Sequence, residues 1–342
     1  MQAAIRKLHE QSYSIKGIGM GCGCILLFGL TLVAGASLFK AYLPGFSTQS
    51  TGAYYRYIFF LTLFAGGIWS GLLLSLFPKP LGFSTVVVAL GALVLGWLST
   101  IPTLASMSWL DSRLNLSEGN DFLSDFLYHL FSVGLREELC KLLLFTPLLI
   151  LVLRKNRDLE ALILGAFVGL GFAIEENITY FIQYQFTGVA VSRFVSANFL
   201  HLTLTGVTSL ALTRSLRDPK QWWADSLQMI LYAIALHAVY NALLSQPVPG
   251  FGDMGYFSGT ALAGCAYLFF REVQSLAPPP KATVSRTALF CWGFCLLFLL
   301  ELLLTSLTLP FDVALFILGQ SALAGVFTAY IFIHQIRETL SP

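Results

Sequence analysis

Apolar residues along this chain come in runs of about twenty, separated by short stretches rich in proline, glycine and charge. Ten such runs stand out, at about 17–39, 57–77, 81–103, 137–153, 159–182, 194–212, 224–244, 256–270, 287–308 and 312–334. A helix of roughly 20 apolar residues spans the hydrocarbon of a bilayer. Only helices and closed barrels satisfy every backbone group in lipid, and runs this long and continuous are helical. The pattern therefore predicts an all-α, polytopic transmembrane helix bundle of about ten spans. The first run shows no small-residue cleavage site and reads as a retained span.

Composition agrees. The 342 residues are 56% hydrophobic and only 11% charged, against about 25% charged in a soluble domain. The formal net charge of +2 argues against a nucleic-acid-binding face. The six cysteines lie in or beside apolar runs, without the paired spacing of a zinc or disulfide framework, and read as small apolar filler.

Charge then orients the bundle. With the N-terminus in the cytoplasm, fourteen Lys and Arg residues, from Arg6, Lys7 and Lys16 to Arg271, Lys281, Arg286 and Arg337, fall on the cytoplasmic side. Only Lys40, Arg56, Arg113 and Arg193 fall outside; Arg136 and Lys141 belong to a polar cluster and are set aside. This asymmetry predicts both termini in the cytoplasm. The chain divides into N-terminal transmembrane helices (1–104), an extracytoplasmic amphipathic or re-entrant segment (105–136), a transmembrane core (137–245) and C-terminal transmembrane helices (246–342).

The 137–245 core holds groups that lipid penalises. An ionisable side chain at mid-membrane costs about 2.5–3.5 kcal/mol on insertion scales. The fourth span opens with Arg136, Glu137, Glu138 and Lys141; the fifth carries Glu175, Glu176 and Asn177. The sixth carries His201 and Thr205, and the seventh His237 and Asn241. Glu137 and Lys141, Phe172 and Glu176, His201 and Thr205, and His237 and Asn241 are each four apart, so each pair shares a helix face. Counting along four antiparallel spans brings these stripes to one level in the outer third of the bilayer, where single polar residues would scatter. Taken alone, each has a plainer reading: an interfacial ion pair for Glu137 and Lys141, a helix–helix hydrogen bond for either histidine.

Together, carboxylates, imidazoles and an amide suit hydrolysis. A glutamate can take a proton from water and return it to a leaving amine, while imidazole and amide N–H groups can stabilise an oxyanion. No serine or cysteine has a clear claim as nucleophile, although Cys140 adjoins the glutamates.

The motifs carry a resemblance. Glu137-Glu138-Leu139-Cys140-Lys141 reads EExxK, residues 169–177 read GLGFAIEEN, His201 follows in the next span, and His237 to Asn241 reads HxxxN. In this order the segment from about 130 to 245 resembles the PrsW family of intramembrane proteases, relatives of the CAAX-processing membrane proteases. Leu142, and Glu176 where the CAAX branch has His, favour the PrsW branch. The resemblance implies cleavage of a membrane-anchored protein in the bacterial cell membrane, an anti-sigma factor being the best-known kind of substrate. It implies Glu137 and Glu138 as the core catalytic pair, with Lys141, Glu176, His201, His237 and Asn241 around them. Glu176, His201 and His237 would make a His₂Glu set for Zn2+ with an open water position; the alternative is a metal-independent glutamate protease. A proton-coupled transporter or a non-catalytic membrane binder is the competing class, but no internal repeat supports the transporter.

Overall fold

A computed structural model describes residues 22–27, 29, 51–77, 83–114, 116–154, 157–184, 190–245, 257–276, 286–319, 329–330 and 334. Among these, structure is helical, with no strand. The elements are α1 (Thr51–Leu74), α2 (Phe83–Leu114), α3 (Phe122–Tyr128), α4 (Leu135–Phe145), α5 (Leu149–Val152), α6 (Asp158–Tyr184), α7 (Ala190–Arg217), α8 (Pro219–Ser245), α9 (Ser258–Leu276) and α10 (Arg286–Thr308). A π-helical turn, His129–Gly134, joins α3 to α4, and a 3₁₀ turn, Thr146–Leu148, joins α4 to α5. Residues 311–319 are also helical.

Among the described residues, five helical stretches are long and apolar enough to cross a membrane: Phe83–Leu114, Asp158–Gln183, Arg193–Arg217, Trp223–Ser245 and Arg286–Leu303. Ile58–Leu74 is a shorter apolar helix. Most of the expected span at 17–39 and about half of that at 312–334 fall outside the described residues.

Burial separates the spans into centre and wall. The apolar windows of α6 and α7 are 83% and 89% buried, whereas those of α2, α8 and α10 are 28–39% buried. The pair α6–α7 is therefore the axis of the bundle. Helix α2 and α1 pack on α6, α8 and α9 on α7, and α10 on α1. Trp69 of α1 pins the wall to the axis: its Nε1–H donates to the Phe194 carbonyl at 2.9 Å, and its ring stacks on Phe199 and meets Phe290 and Phe294 edge-on. At the far end from the polar cluster, Asp158 accepts from Arg214 and Arg217, and Arg214 reaches on to Glu272, tying α6, α7 and α9 together.

Close approach in lipid depends on small residues, because apolar burial against lipid-like surroundings gives little drive of its own. Two glycines of the GLGFAIEEN stretch supply it. A Cβ on Gly169 would stand 2.2 Å from the carbonyl oxygen of His201, and one on Gly171 1.9 Å from that of Leu93. Gly96 of α2 faces the Val168 carbonyl in the same way, also at 1.9 Å. Backbone thus touches backbone where α6 meets α7 and where α6 meets α2.

Most of the described residues in the 105–136 segment are helical. Helix α2 continues through Pro102 to Leu114, 32 residues or roughly 48 Å, so its last three turns occupy what the hydropathy pattern assigned to loop. Asp121 then caps α3: its side chain accepts from the Leu123 and Ser124 N–H groups, and Ser124 Oγ donates back to it. The hydrogen bond from the Ser124 hydroxyl helps hold the Asp121 carboxyl below the usual carboxylate range. The α3–π segment is amphipathic, with its polar face inward. Asp125, His129 and Ser132 are buried, while Leu123, Leu127 and Phe131 are exposed. Asp125 hydrogen-bonds Ser245 at the end of α8 and accepts from the Gly119 N–H. Ser132 donates to Asp111, which also pairs with Arg136 at 2.6 Å. These bonds hold the polar face inward.

The close approach gives a paired test. Gly169→Ala should lower the unfolding free energy by about 1–3 kcal/mol, the usual range for overpacking. Gly91→Ala, where no atom lies within 4 Å of the added Cβ, should be neutral or slightly stabilising. Denaturant titration of the detergent-solubilised protein, followed by circular dichroism, reads both.

Candidate active site

Helices α4, α6, α7 and α8 bring the polar residues to one place. Helix α4 follows the π turn, which rests on α8 through Gly134; a Cβ there would meet the Ile234 carbonyl at 3.1 Å and the Cβ of His237 at 3.6 Å. That contact sets the level of His237 against Glu137 and Glu138, one turn into α4. Gly169 does the same for His201 from the α6 side.

Lys141 stands at the centre, fully buried. Its Nζ donates to Glu138 Oε1 at 2.8 Å and Glu137 Oε2 at 3.3 Å, and lies 2.8 Å from His201 Nδ1. It also sits 4.1 Å over the Phe172 ring. All three ammonium hydrogens therefore have acceptors. An ion this deep is tolerated only when so paired.

The hydrogen-bond network assigns the two imidazole tautomers. Nε2 of His201 lies 2.9 Å from Glu176 Oε2, so Nε2 carries the proton and the Nδ1 lone pair faces Lys141 and Glu137. Nδ1 of His237 lies 2.9 Å from Glu138 Oε1, so Nδ1 carries the proton and the Nε2 lone pair faces Glu137 Oε2 at 3.6 Å. Each histidine is thus oriented by its own carboxylate, as metal-binding histidines commonly are. His201 Nδ1 is 4.0 Å from the same Glu137 oxygen. Ligand atoms of Glu137, His201 and His237 all lie within 4.8 Å of one another, and all three residues are buried.

This geometry departs from the expected ligand set in one respect. Glu137, and not Glu176, completes the group with the two histidines. Glu176 lies on the far side of the His201 ring, and its other oxygen pairs with Arg193 at 3.1 Å. The donor set suits a metal: one carboxylate and two bare imidazole nitrogens, with separations of 3.6 and 4.0 Å near the ~3.4 Å edge of a tetrahedral zinc site. Glu138 Oε2 is buried with no hydrogen-bond partner, so one carboxylate oxygen at the centre remains uncommitted. Against easy metal access, Lys141 already donates to the His201 lone pair that a metal would use.

Of the other expected residues, Asn241 lies one turn beyond His237 and is half-buried. Glu175 points away, accepting from Thr179 at 2.9 Å. Cys140 is partly exposed on α4, away from the buried face that carries Glu137, Glu138 and Lys141. The sequence reading missed Arg193, counted there as a loop charge. Its Nε donates to Asn177 Oδ1 at 2.7 Å, and its guanidinium lies 4.0 Å from the Tyr180 ring centre. Asn177 in turn donates to the buried Asn198 at 2.9 Å. Arg193 lies eight residues before His201, two turns along the same face, and that spacing was its only signal.

Glutamates, histidines and a lysine are thus gathered and buried among apolar helices. The chain belongs to the PrsW family of intramembrane metalloproteases, whose sequence model matches residues 79–270, more than half of its length. It is accordingly a membrane peptidase acting on a membrane-embedded protein. The match takes in every helix of the cluster and leaves α1 and α10 outside it. No curated protein and no solved structure matches the chain.

Lys141→Met would remove the shared counter-ion and strand two buried carboxylates. It should destabilise the protein by about 3–5 kcal/mol, the range for breaking a buried pair from one side. Comparing denaturation midpoints of the variant and the wild type checks this.

Proposed function

We propose that this protein hydrolyses a peptide bond of a membrane-anchored protein near the outer face of the bacterial cell membrane, using a glutamate-activated water. Glu137, Glu138, Lys141, Glu176, His201, His237 and Asn241 form the site. The observation that carries this reading is the convergence of two oriented imidazole lone pairs on Glu137, beside an unpartnered oxygen of Glu138.

The roles follow from the bonds. Glu138 is the general base: its free oxygen takes the proton from water and later passes it to the leaving amine. Lys141 holds Glu138 in place and offsets the charge that develops nearby. Glu137, His201 and His237 would hold zinc, in place of the set with Glu176; bound there, the metal would polarise the scissile carbonyl and acidify the attacking water. Glu176 and Glu138 keep the rings turned so that their lone pairs face inward. Asn241, half-buried at the margin, supplies an amide for the substrate backbone or the oxyanion.

A second reading has its own support. The Lys141 ammonium already bridges Glu137, Glu138 and His201, as a resident cation would. In a metal-independent glutamate protease, Lys141 would provide that positive charge throughout. The substrate class is a single-span protein with an extracytoplasmic segment, of the anti-sigma-factor kind. The bundle has about ten spans with both termini in the cytoplasm, built from the four segments 1–104, 105–136, 137–245 and 246–342.

One experiment tests the chemistry. Wild-type protein, Glu137→Gln and Glu138→Gln are reconstituted into liposomes with solubilised membrane proteins of the host, and new N-termini are read by mass spectrometry. Both variants should fold and lose cleavage by at least ~10²-fold, the scale of a lost general base. Full activity in both would sink the assignment. Purified wild type should hold about one zinc per chain and lose activity on chelation; active protein without metal selects the second reading.

Orientation has a separate test. Asn120 is exposed and, unlike Ser124, takes no part in capping α3. In a cysteine-free background, Asn120→Cys should react with an impermeant thiol reagent added outside intact cells. Asn156→Cys should react only after permeabilisation. The reverse pattern would overturn the topology.

A further inference from the structure

Glu176 is the least enclosed carboxylate of the cluster. Its side chain is 34% exposed, against 8% for Glu137 and 0% for Glu138. Yet it holds the Nε2 side of the His201 ring, as Lys141 holds the Nδ1 side, and that ring is 2% exposed. A carboxylate a third open to its surroundings has several rotamers available and would not hold a ring by itself. Something must hold Glu176.

Arg193 is built to do so. Its guanidinium reaches two residues that are neighbours on α6: Nε donates to Asn177 Oδ1 at 2.7 Å, and Nη2 forms an ion pair with Glu176 Oε1 at 3.1 Å, outside hydrogen-bond geometry. Its flat face lies 4.0 Å from the Tyr180 ring, one turn on from Glu176. Asn177 is itself fixed, fully buried and donating to Asn198. Asn198 lies on α7 with Arg193, so the bonds close a loop between α6 and α7. A guanidinium suits this place because its donors are planar and fixed relative to one another, and its face stacks on aromatic rings. An ammonium has a single centre and cannot hold both partners while stacking.

Resting on the hydrolytic reading above, we propose that Arg193 is a positioning residue: it locks Glu176, which holds the His201 ring with Nε2–H outward and the Nδ1 lone pair toward Glu137. The order of action is Asn198, Asn177, Arg193, Glu176, His201. Arg193 touches neither the Glu137–Glu138 pair nor the reacting atoms. Its contribution is to keep one tautomer and one ring orientation of His201 populated. The final Asn of the GLGFAIEEN stretch, Asn177, then serves to aim Arg193.

The test reads the ring directly. Protein labelled with 15N-histidine is reconstituted in bilayers, and the His201 resonances are assigned by their loss in His201→Asn. Wild type should show one state, with Nε2 protonated and Nδ1 bare, whichever cation lies against Nδ1. Arg193→Gln should show a second tautomer or broadened, exchanging signals. Arg193→Lys, which keeps the charge but not the fork, should be intermediate, and it serves as the reading if Arg193→Gln does not fold. In the cleavage assay, Arg193→Gln should lose about 10–100-fold, the usual cost of removing an outer-shell partner, through kcat with little change in KM. Arg113→Gln, an exposed charge outside the cluster, should match wild type in both. A single unchanged His201 state in a folded Arg193 variant overturns the proposal. The tautomer result stands apart from activity, so absence of proteolysis in every sample would refute the hydrolytic reading and leave the ring-positioning result to be judged on the spectra.

Discussion

The buried ammonium of Lys141 is the interaction on which the rest of the core depends. Two adjacent glutamates with side chains only 8% and 0% exposed cannot both be held ionised there without a cation between them. Lys141, three and four residues further on, is at the helical spacing that reaches both. Its third hydrogen then reaches His201 and so draws α7 to the same point. Through Glu138 the group also fixes His237 on α8. Four helices are therefore bonded to one nitrogen or its immediate neighbours, and a lateral slip of any of them would strand a charge in lipid-like surroundings.

Such a centre needs helices that come close and stay in register. The glycine contacts of α6 provide the approach, with backbone of α2 on one side and of α7 on the other. Trp69 and the aromatic rings around it hold α1, α7 and α10 together on the other wall. The charged network of Asp158, Arg214, Arg217 and Glu272 fastens the opposite end. The polar cluster thus sits at one end of a bundle tied at both, with α6 and α7 running between the two ends.

The short helix before α4 reverses the rule for soluble proteins. In water, an amphipathic helix puts its apolar stripe against the protein. Here Leu123, Leu127 and Phe131 face outward, and Asp125, His129 and Ser132 face in. The inward carboxylate and hydroxyl find partners at Ser245, Gly119 and Asp111, and these bonds set which face turns in. The π turn that follows is the kind of irregularity that lets a helix re-aim its next turn, and it often accompanies functional sites. Here the next turn carries Glu137 and Glu138.

The helical character of the described spans, and the membership of the polar cluster, were legible in the sequence for one reason: lipid imposes its terms locally. Length and apolarity mark a span without reference to anything else in the chain. A Glu or His stands out against that background wherever it falls, which is how Glu137, Glu138, Lys141, Glu176, His201 and His237 could be named together. The division of labour among them was not legible. Whether Glu137 or Glu176 joins the two histidines depends on how far α4 and α6 are rotated about their axes, to within a few tens of degrees. Arg193 read as a loop charge because nothing in its own neighbourhood reveals that Asn177 and Glu176, sixteen and seventeen residues earlier, come back beside it. The inward turn of Asp125 depends on Ser245, 120 residues away. Chemistry that depends on one helix against a solvent could be read from the chain, whereas chemistry that depends on one helix against another was decided by the tertiary fold.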